Sequence, residues 1–143
     1  MIPRVRHIMK RDPVTIDETY TVKEAAQMMI DFALDTLIVT CMGRILGAIT
    51  YREILRHLLV PGFDEEDTII GEITDKDVIL VRPNTTLEDA IKLMLEMDRN
   101  TLPVVDSEVV GYISYTDILR LVNRIEATPI EEEEEFDPTK YII

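Results

Sequence analysis

Residues 111–120 read GYISYTDILR, and residues 47–56 read GAITYREILR. Six of the ten positions are identical: Gly, Ile, Tyr, Ile, Leu and Arg. A chain of 143 residues therefore writes one strand-to-helix junction twice. The match extends outward. Thr21, Ala25, Met29, Thr36, Leu37 and Val39 recur as Thr86, Ala90, Met94, Thr101, Leu102 and Val104. Self-similarity at a fixed period governs a fold, because each copy must build the same supersecondary unit.

Both copies parse alike. An extended run opens each, PVTI at 13–16 and DVILV at 77–81. A helix follows. Thr21 stands three before Glu24, a capping box, and Thr86 stands three before Asp89, a near variant. Val22, Ala25, Ala26, Met29 and Ala33 fall at helical spacing, as do Leu87, Ala90, Ile91 and Met94. Two β-rich runs come next, split by turns at Met42-Gly43 and at Asp106-Ser107-Glu108, which signals a hairpin. A closing helix ends each copy. The expected fold is α+β: two β-α-β-β-α repeats packed sheet to sheet about a pseudo-twofold axis. One such unit buries too little surface to stand alone, so the copies should complete one another. The expected boundaries are 1–62, 63–126 and an acidic tail over 127–143.

Charge limits the partners. Net charge is −13, which opposes the phosphates of nucleic acid. The imbalance is local as well: EEEEEFD occupies 131–137, whereas the first eleven residues hold Arg4, Arg6, Lys10 and Arg11 and no acid. No apolar window reaches the roughly 18 residues of a membrane span. The N-terminus has no apolar signal core, and a cytoplasmic protein is expected. The single cysteine, Cys41, reads as a small core residue at a strand end. The two histidines, His7 and His57, have no metal-ligand spacing, and no Gly-rich phosphate loop occurs. An enzyme and a catalytic cofactor are not expected.

The repeated junction bears on ligands. Ser114-x-x-Asp117 and Thr50-x-x-Glu53 are helix N-cap patterns, and capping by itself accounts for them. The same atoms suit a ligand: a carboxylate at a helix start accepts hydrogen bonds from a vicinal diol, as acidic residues do with ribose.

The stretch LPVVDSEVVGYISYTDILR (102–120) resembles the second half of a CBS domain, and the two copies together resemble a tandem CBS pair, or Bateman module, over about residues 7–125. That resemblance implies a regulatory module binding an adenosine-containing ligand, an adenine nucleotide or S-adenosylmethionine, between the repeats. It implies a carboxylate on ribose at Asp117, helped by hydroxyls at Ser114 and Thr116. It places adenine against Met9, Asp12, Val14 and Thr15, with Leu34, Asp35, Thr36, Pro103 and Tyr112 around it. It puts Arg99, Asn100 and Thr101 where relatives often hold phosphate. Thr101 stands where some members carry Arg, which leaves phosphate to Lys10, Arg11 or Arg99. A second, weaker site would use Thr50, Arg52, Glu53 and Ile79 with Arg99, completed by Thr74 and Asp77. A homodimer formed through helices is implied too. The alternative is a ligand-independent interaction module, in which the dimer faces and the acidic tail dock to an unknown protein partner.

Overall fold

The structure, a computed structural model, describes residues 2–126 and 137–141. The acidic run at 131–135, and with it the expectation of a docking tail, lies outside the described residues.

The first repeat runs β1 (Thr15–Asp17), α1 (Val22–Asp31), β2 (Thr36–Cys41), β3 (Arg44–Thr50) and α2 (Tyr51–Leu58). The second runs α3 (Leu87–Met97), β4 (Thr101–Asp106), β5 (Glu108–Ser114) and α4 (Tyr115–Glu126). The caps form as the spacing requires. Glu24 N–H donates to Thr21 Oγ1 at 3.2 Å, and Thr21 N–H returns to Glu24 Oε1 at 3.3 Å. Thr86 Oγ1 accepts from Asp89 N–H at 3.2 Å. The turn at Met42-Gly43 has positive φ at both residues (51° and 75°), the conformation a two-residue hairpin turn requires. β1 pairs parallel with β2, and β2 antiparallel with β3; β4 pairs antiparallel with β5.

One expected strand is missing. The run 77–81 shrinks to a single parallel bridge, Val81 to Val104. Val81 N–H donates to Pro103 O (3.0 Å), and Val105 N–H donates to Val81 O (2.9 Å). Extending that ladder one step backward needs an N–H at position 103, and one step forward needs an N–H at position 83. Both are proline, which has none.

The segment that precedes each repeat packs on the other one. Residues 3–10 join the second repeat: Leu87 N–H donates to Pro3 O, Val5 N–H to Thr85 O, and Lys10 exchanges both bonds with Tyr112 (2.9 and 3.0 Å). Residues 68–75 join the first in the same way: Val22 N–H donates to Thr68 O, and Asp75 exchanges both bonds with Ala48 (2.9 and 2.8 Å). Val5 and Ile70, each fully buried, anchor these segments in the two helix-side cores. The repeated glycine now has a cause. A Cβ on Gly111 would lie 2.1 Å from Lys10 O, and one on Gly47 2.2 Å from Asp75 O. Only glycine lets the crossing backbone approach that closely.

A third cluster joins the sheets face to face: Ile38, Ala48, Val105, Val109 and Tyr112. Among the described residues no helix is long and apolar enough to cross a membrane.

Candidate functional site

Two crevices flank the line where β2 meets β4. They are related by the repeat, yet they differ in size. One, at the start of α4, encloses about 480 Å3. Its counterpart, at the start of α2, encloses about 10 Å3.

The larger cleft is lined from the second repeat by Asn100, Thr101, Tyr112, Ser114, Tyr115, Thr116, Asp117 and Arg120, and from the first by Lys10, Phe32, Ala33 and Leu34. Asp117 is 6% exposed. Its Oδ2 accepts Ser114 N–H at 3.0 Å, and Ser114 Oγ accepts Asp117 N–H at 3.2 Å. The capping reading is therefore correct as far as it goes. Oδ1 has no hydrogen-bond partner among the described residues, and the side chain lines the cleft, so one carboxylate oxygen is left for a ligand. Nearby, Tyr115 N–H is taken by Asn100 O. Thr116 N–H, in the unsatisfied first turn, has no acceptor among the described bonds. That amide and the helix dipole favour anionic or acceptor groups at this end of the cleft.

Tyr112 holds the cleft floor. Its hydroxyl donates to Val14 O at 2.6 Å and accepts Ile38 N–H at 3.2 Å. It is thus inserted between two strands of the first repeat, where a direct ladder bond would otherwise run. Burial pushes its pKa up to about 12. The counterpart positions carry Ala48 and Pro103, a residue with no hydroxyl facing a residue with no N–H.

Several expected ligand residues also make contacts inside the fold. Asp35 clamps the second repeat: its carboxylate accepts Asn100 N–H (2.6 Å), Thr101 N–H (3.0 Å) and the Thr101 hydroxyl. Thr36 is buried and lines the smaller crevice instead. Val14 offers its carbonyl to Tyr112, and Thr15 pairs with Ile38 in β1. Pro103 is buried within β4, and Asp12 is exposed and is not among the residues lining the cleft. Met9 belongs to the core of the second repeat and reaches only a side trough. Arg11 donates to Arg6 O at 3.3 Å, outside the cleft.

The smaller crevice collects Thr50, Asp77, Ile79 and Arg99, with Thr36 and Leu102. It does not collect Glu53 or Arg52. Glu53 pairs with Arg56 at 2.8 Å, and Arg52 forms an ion pair with Asp98. Thr74 turns its hydroxyl to Ile70 O at 2.7 Å.

Phe32, Ala33, Tyr115 and Arg120 were not expected at the site. Arg120 was legible: it stands three after Asp117, on the same helix face, inside the repeated motif. Phe32 and Ala33 follow α1 in a backbone reversal, Ala33 having φ 54°; the helical spacing expected to include Ala33 therefore stops at Asp31, because the chain turns left-handed there instead of continuing the helix.

A profile of the family described as "CBS domain" matches residues 5–60 and 63–124. The chain is 28% identical over 135 residues to the protein MK0525 of Methanopyrus kandleri, covering 92% of this chain and 69% of that one. It is 29% identical over 115 residues to the CBS domain-containing protein YhcV of Bacillus subtilis, covering 80% and 81%. Among solved structures, the CBS domain pair of protein MJ0100 in complex with 5′-methylthioadenosine and S-adenosyl-L-methionine superposes with a TM-score of 0.73 at 26% identity, covering 88% of this chain and all of that one.

Proposed function

Because the chain belongs to the CBS-domain family, as a tandem pair of this regulatory domain, we propose that it senses an adenosine-containing ligand, which binds in the cleft at Asp117. The observation that carries this reading is the pairing of an open cleft of about 480 Å3 with a buried carboxylate that keeps one oxygen unpartnered. That volume lies in the range of small-molecule sites, roughly 300–1,000 Å3. A ribose diol supplies two donors to Asp117, while Thr116 N–H supplies a donor to the ligand. Phe32 stands at the rim, 48% exposed, as an apolar surface for a base. The ligand of MJ0100 supports the chemical class.

Binding here touches both repeats, from Phe32–Leu34 on one side to Ser114–Arg120 on the other. A ligand that fits one relative packing better shifts the population toward it, by no more than its difference in affinity. In the cytoplasmic setting proposed, that shift passes to a homodimer through the outer faces of α2 and α4. There Leu55, Leu58, Leu119 and Val122 are 41–65% exposed. The reading assigns the chain no reaction of its own.

Titration calorimetry with AMP, ADP, ATP and S-adenosylmethionine tests the reading. At least one should bind, and Asp117→Ala should weaken it about tenfold or more while costing about 1 kcal/mol of stability through the lost cap. Absence of heat with all four at millimolar concentration, or an unchanged affinity in Asp117→Ala, refutes it.

A further inference from the structure

The two leading segments share one backbone course and carry opposite charge. Lys10 and Asp75 are equivalent positions: Lys10 exchanges both bonds with Tyr112, and Asp75 does so with Ala48. Around Lys10 the segment carries Arg4, Arg6 and Arg11, with no acid before Asp12. Around Asp75 it carries DEED at 64–67, then Glu72 and Asp77, against Lys76 alone. The first segment lies on the second repeat and the second on the first. One molecule therefore has a basic strip and an acidic strip at pseudo-equivalent places.

These charges face solvent and are mostly uncompensated. Arg6, Lys10 and Arg11 are exposed, as are the run 64–67, Glu72, Asp75 and Asp77. Arg4 and Arg6 bond to the uncharged Asn84, and Arg11 donates to Arg6 O at 3.3 Å. Among the described residues no cation of the basic strip enters an ion pair. On the acidic strip only Glu66 does, with Lys23 at 2.8 Å. Each strip also bears an exposed isoleucine, Ile2 (63%) and Ile69 (40%), an apolar contact of the kind found at the centre of protein interfaces.

At a net charge of −13, two copies repel in most orientations. Setting each strip on its own kind, basic on basic or acidic on acidic, adds to that repulsion. Setting basic on acidic attracts, and the chain supplies both halves. We propose that the basic strip, residues 4–11, docks head to tail on the acidic strip, residues 64–77, of a second copy. The contact stands apart from the adenosine reading. It uses neither outer helix face, so it adds to the dimer proposed above.

Sedimentation velocity on the full chain tests it, at about 0.1 M and about 1 M NaCl. In the dilute salt the parent should reach at least about double the mass it has in the concentrated salt, where charges in contact are screened. Arg6→Glu with Arg11→Glu makes both strips acidic. Glu65→Lys, Asp67→Lys and Glu72→Lys together make both basic. Each set alone should weaken the association about tenfold or more and hold the parent's high-salt mass at both concentrations. Mixed in equal amounts, the two variants should regain the larger assembly, because each then meets its opposite. Arg11→Glu alone, whose side chain bonds only to a carbonyl, should give a smaller loss of the same sign. A parent whose mass ignores salt, variants that assemble as the parent does, or a mixture that stays apart overturns the contact. Changing residues 131–135 from Glu to Gln should leave the assembly intact. Its loss there would seat the acidic tail on the basic strip, and hexaglutamate bound by a parent that does not assemble would give the strip to another acidic protein. Either result overturns residues 64–77 as the occupant.

Discussion

The two crevices are copies of one design, and a few side chains make one open and the other closed. Thr116 and Ala33 both line the open cleft; their counterparts, Arg52 and Asp98, form an ion pair. Leu34 lines the open cleft, and its counterpart Arg99, longer and charged, lines the closed one. Asp117 keeps a free oxygen, whereas Glu53, one methylene longer, folds back onto Arg56. Tyr112 wedges the strands beside the open cleft, where Ala48 leaves no such contact. Duplication thus preserved the scaffold, and single substitutions divided the sites.

The sharpest way to break this comparison is at the glycines. Gly111→Ala and Gly47→Ala each drive a Cβ into a backbone carbonyl, and each should cost about 3 kcal/mol or more in urea unfolding. Only Gly111→Ala displaces Lys10, so only it should also weaken nucleotide binding. Equal binding losses in both variants would show that the crevices are not independent.

Asp35 is the next test, because its counterpart is Asn100, the residue it clamps. Asp35→Ala strips the acceptor from two backbone N–H groups and a hydroxyl, and an expected loss of about 2–3 kcal/mol is read in the same unfolding experiment. A loss under about 0.5 kcal/mol would show that the clamp does not join the repeats.

Tyr112→Phe leaves Ile38 N–H without its acceptor and should cost about 1–2 kcal/mol. Its pH dependence adds a second readout. The folded-state pKa is raised, from 10.0 to about 12, so the neutral phenol is favoured by folding. That stability is complete below pH 10 and is lost as pH rises toward 12. Thermal melts of Tyr112→Phe between pH 10 and 12 should therefore decline less steeply than those of the parent. Parallel declines would place the alkaline transition elsewhere.

The smallest effect is expected at Arg52. Its ion pair is solvent-exposed, so Arg52→Ala should change stability by less than about 1 kcal/mol. It should not create a second binding stoichiometry, because Arg99 and Leu102 still occupy the crevice. A second equivalent of bound nucleotide in calorimetry would show that the ion pair alone keeps it shut.

Local chemistry made much of this legible. Thr21 with Glu24, Met42-Gly43, and the alternation of strand and helix periods all act within a few residues, where sequence neighbours are also spatial neighbours. The capping of α4 by Ser114 and Asp117 was legible for the same reason. The missing strand at 77–81 was not. Its run has strand composition, and what stops it is Pro103, more than twenty residues away, with no N–H to give. The clamp made by Asp35 was hidden on similar grounds. A carboxylate next to a buried strand looks available for a ligand until the opposite repeat brings two amide donors to it.

By itself, the sequence determined that this chain is two copies of one unit, where each helix and hairpin begins, and that a carboxylate sits at the head of α4. Tertiary structure decided that each leading segment crosses to the other copy, that the glycines serve that crossing, and that only one of two equivalent crevices stays open. The physical reason is range. Caps and turns are set by bonds between near neighbours, whereas the volume of a crevice depends on side chains that meet only after the two sheets have packed.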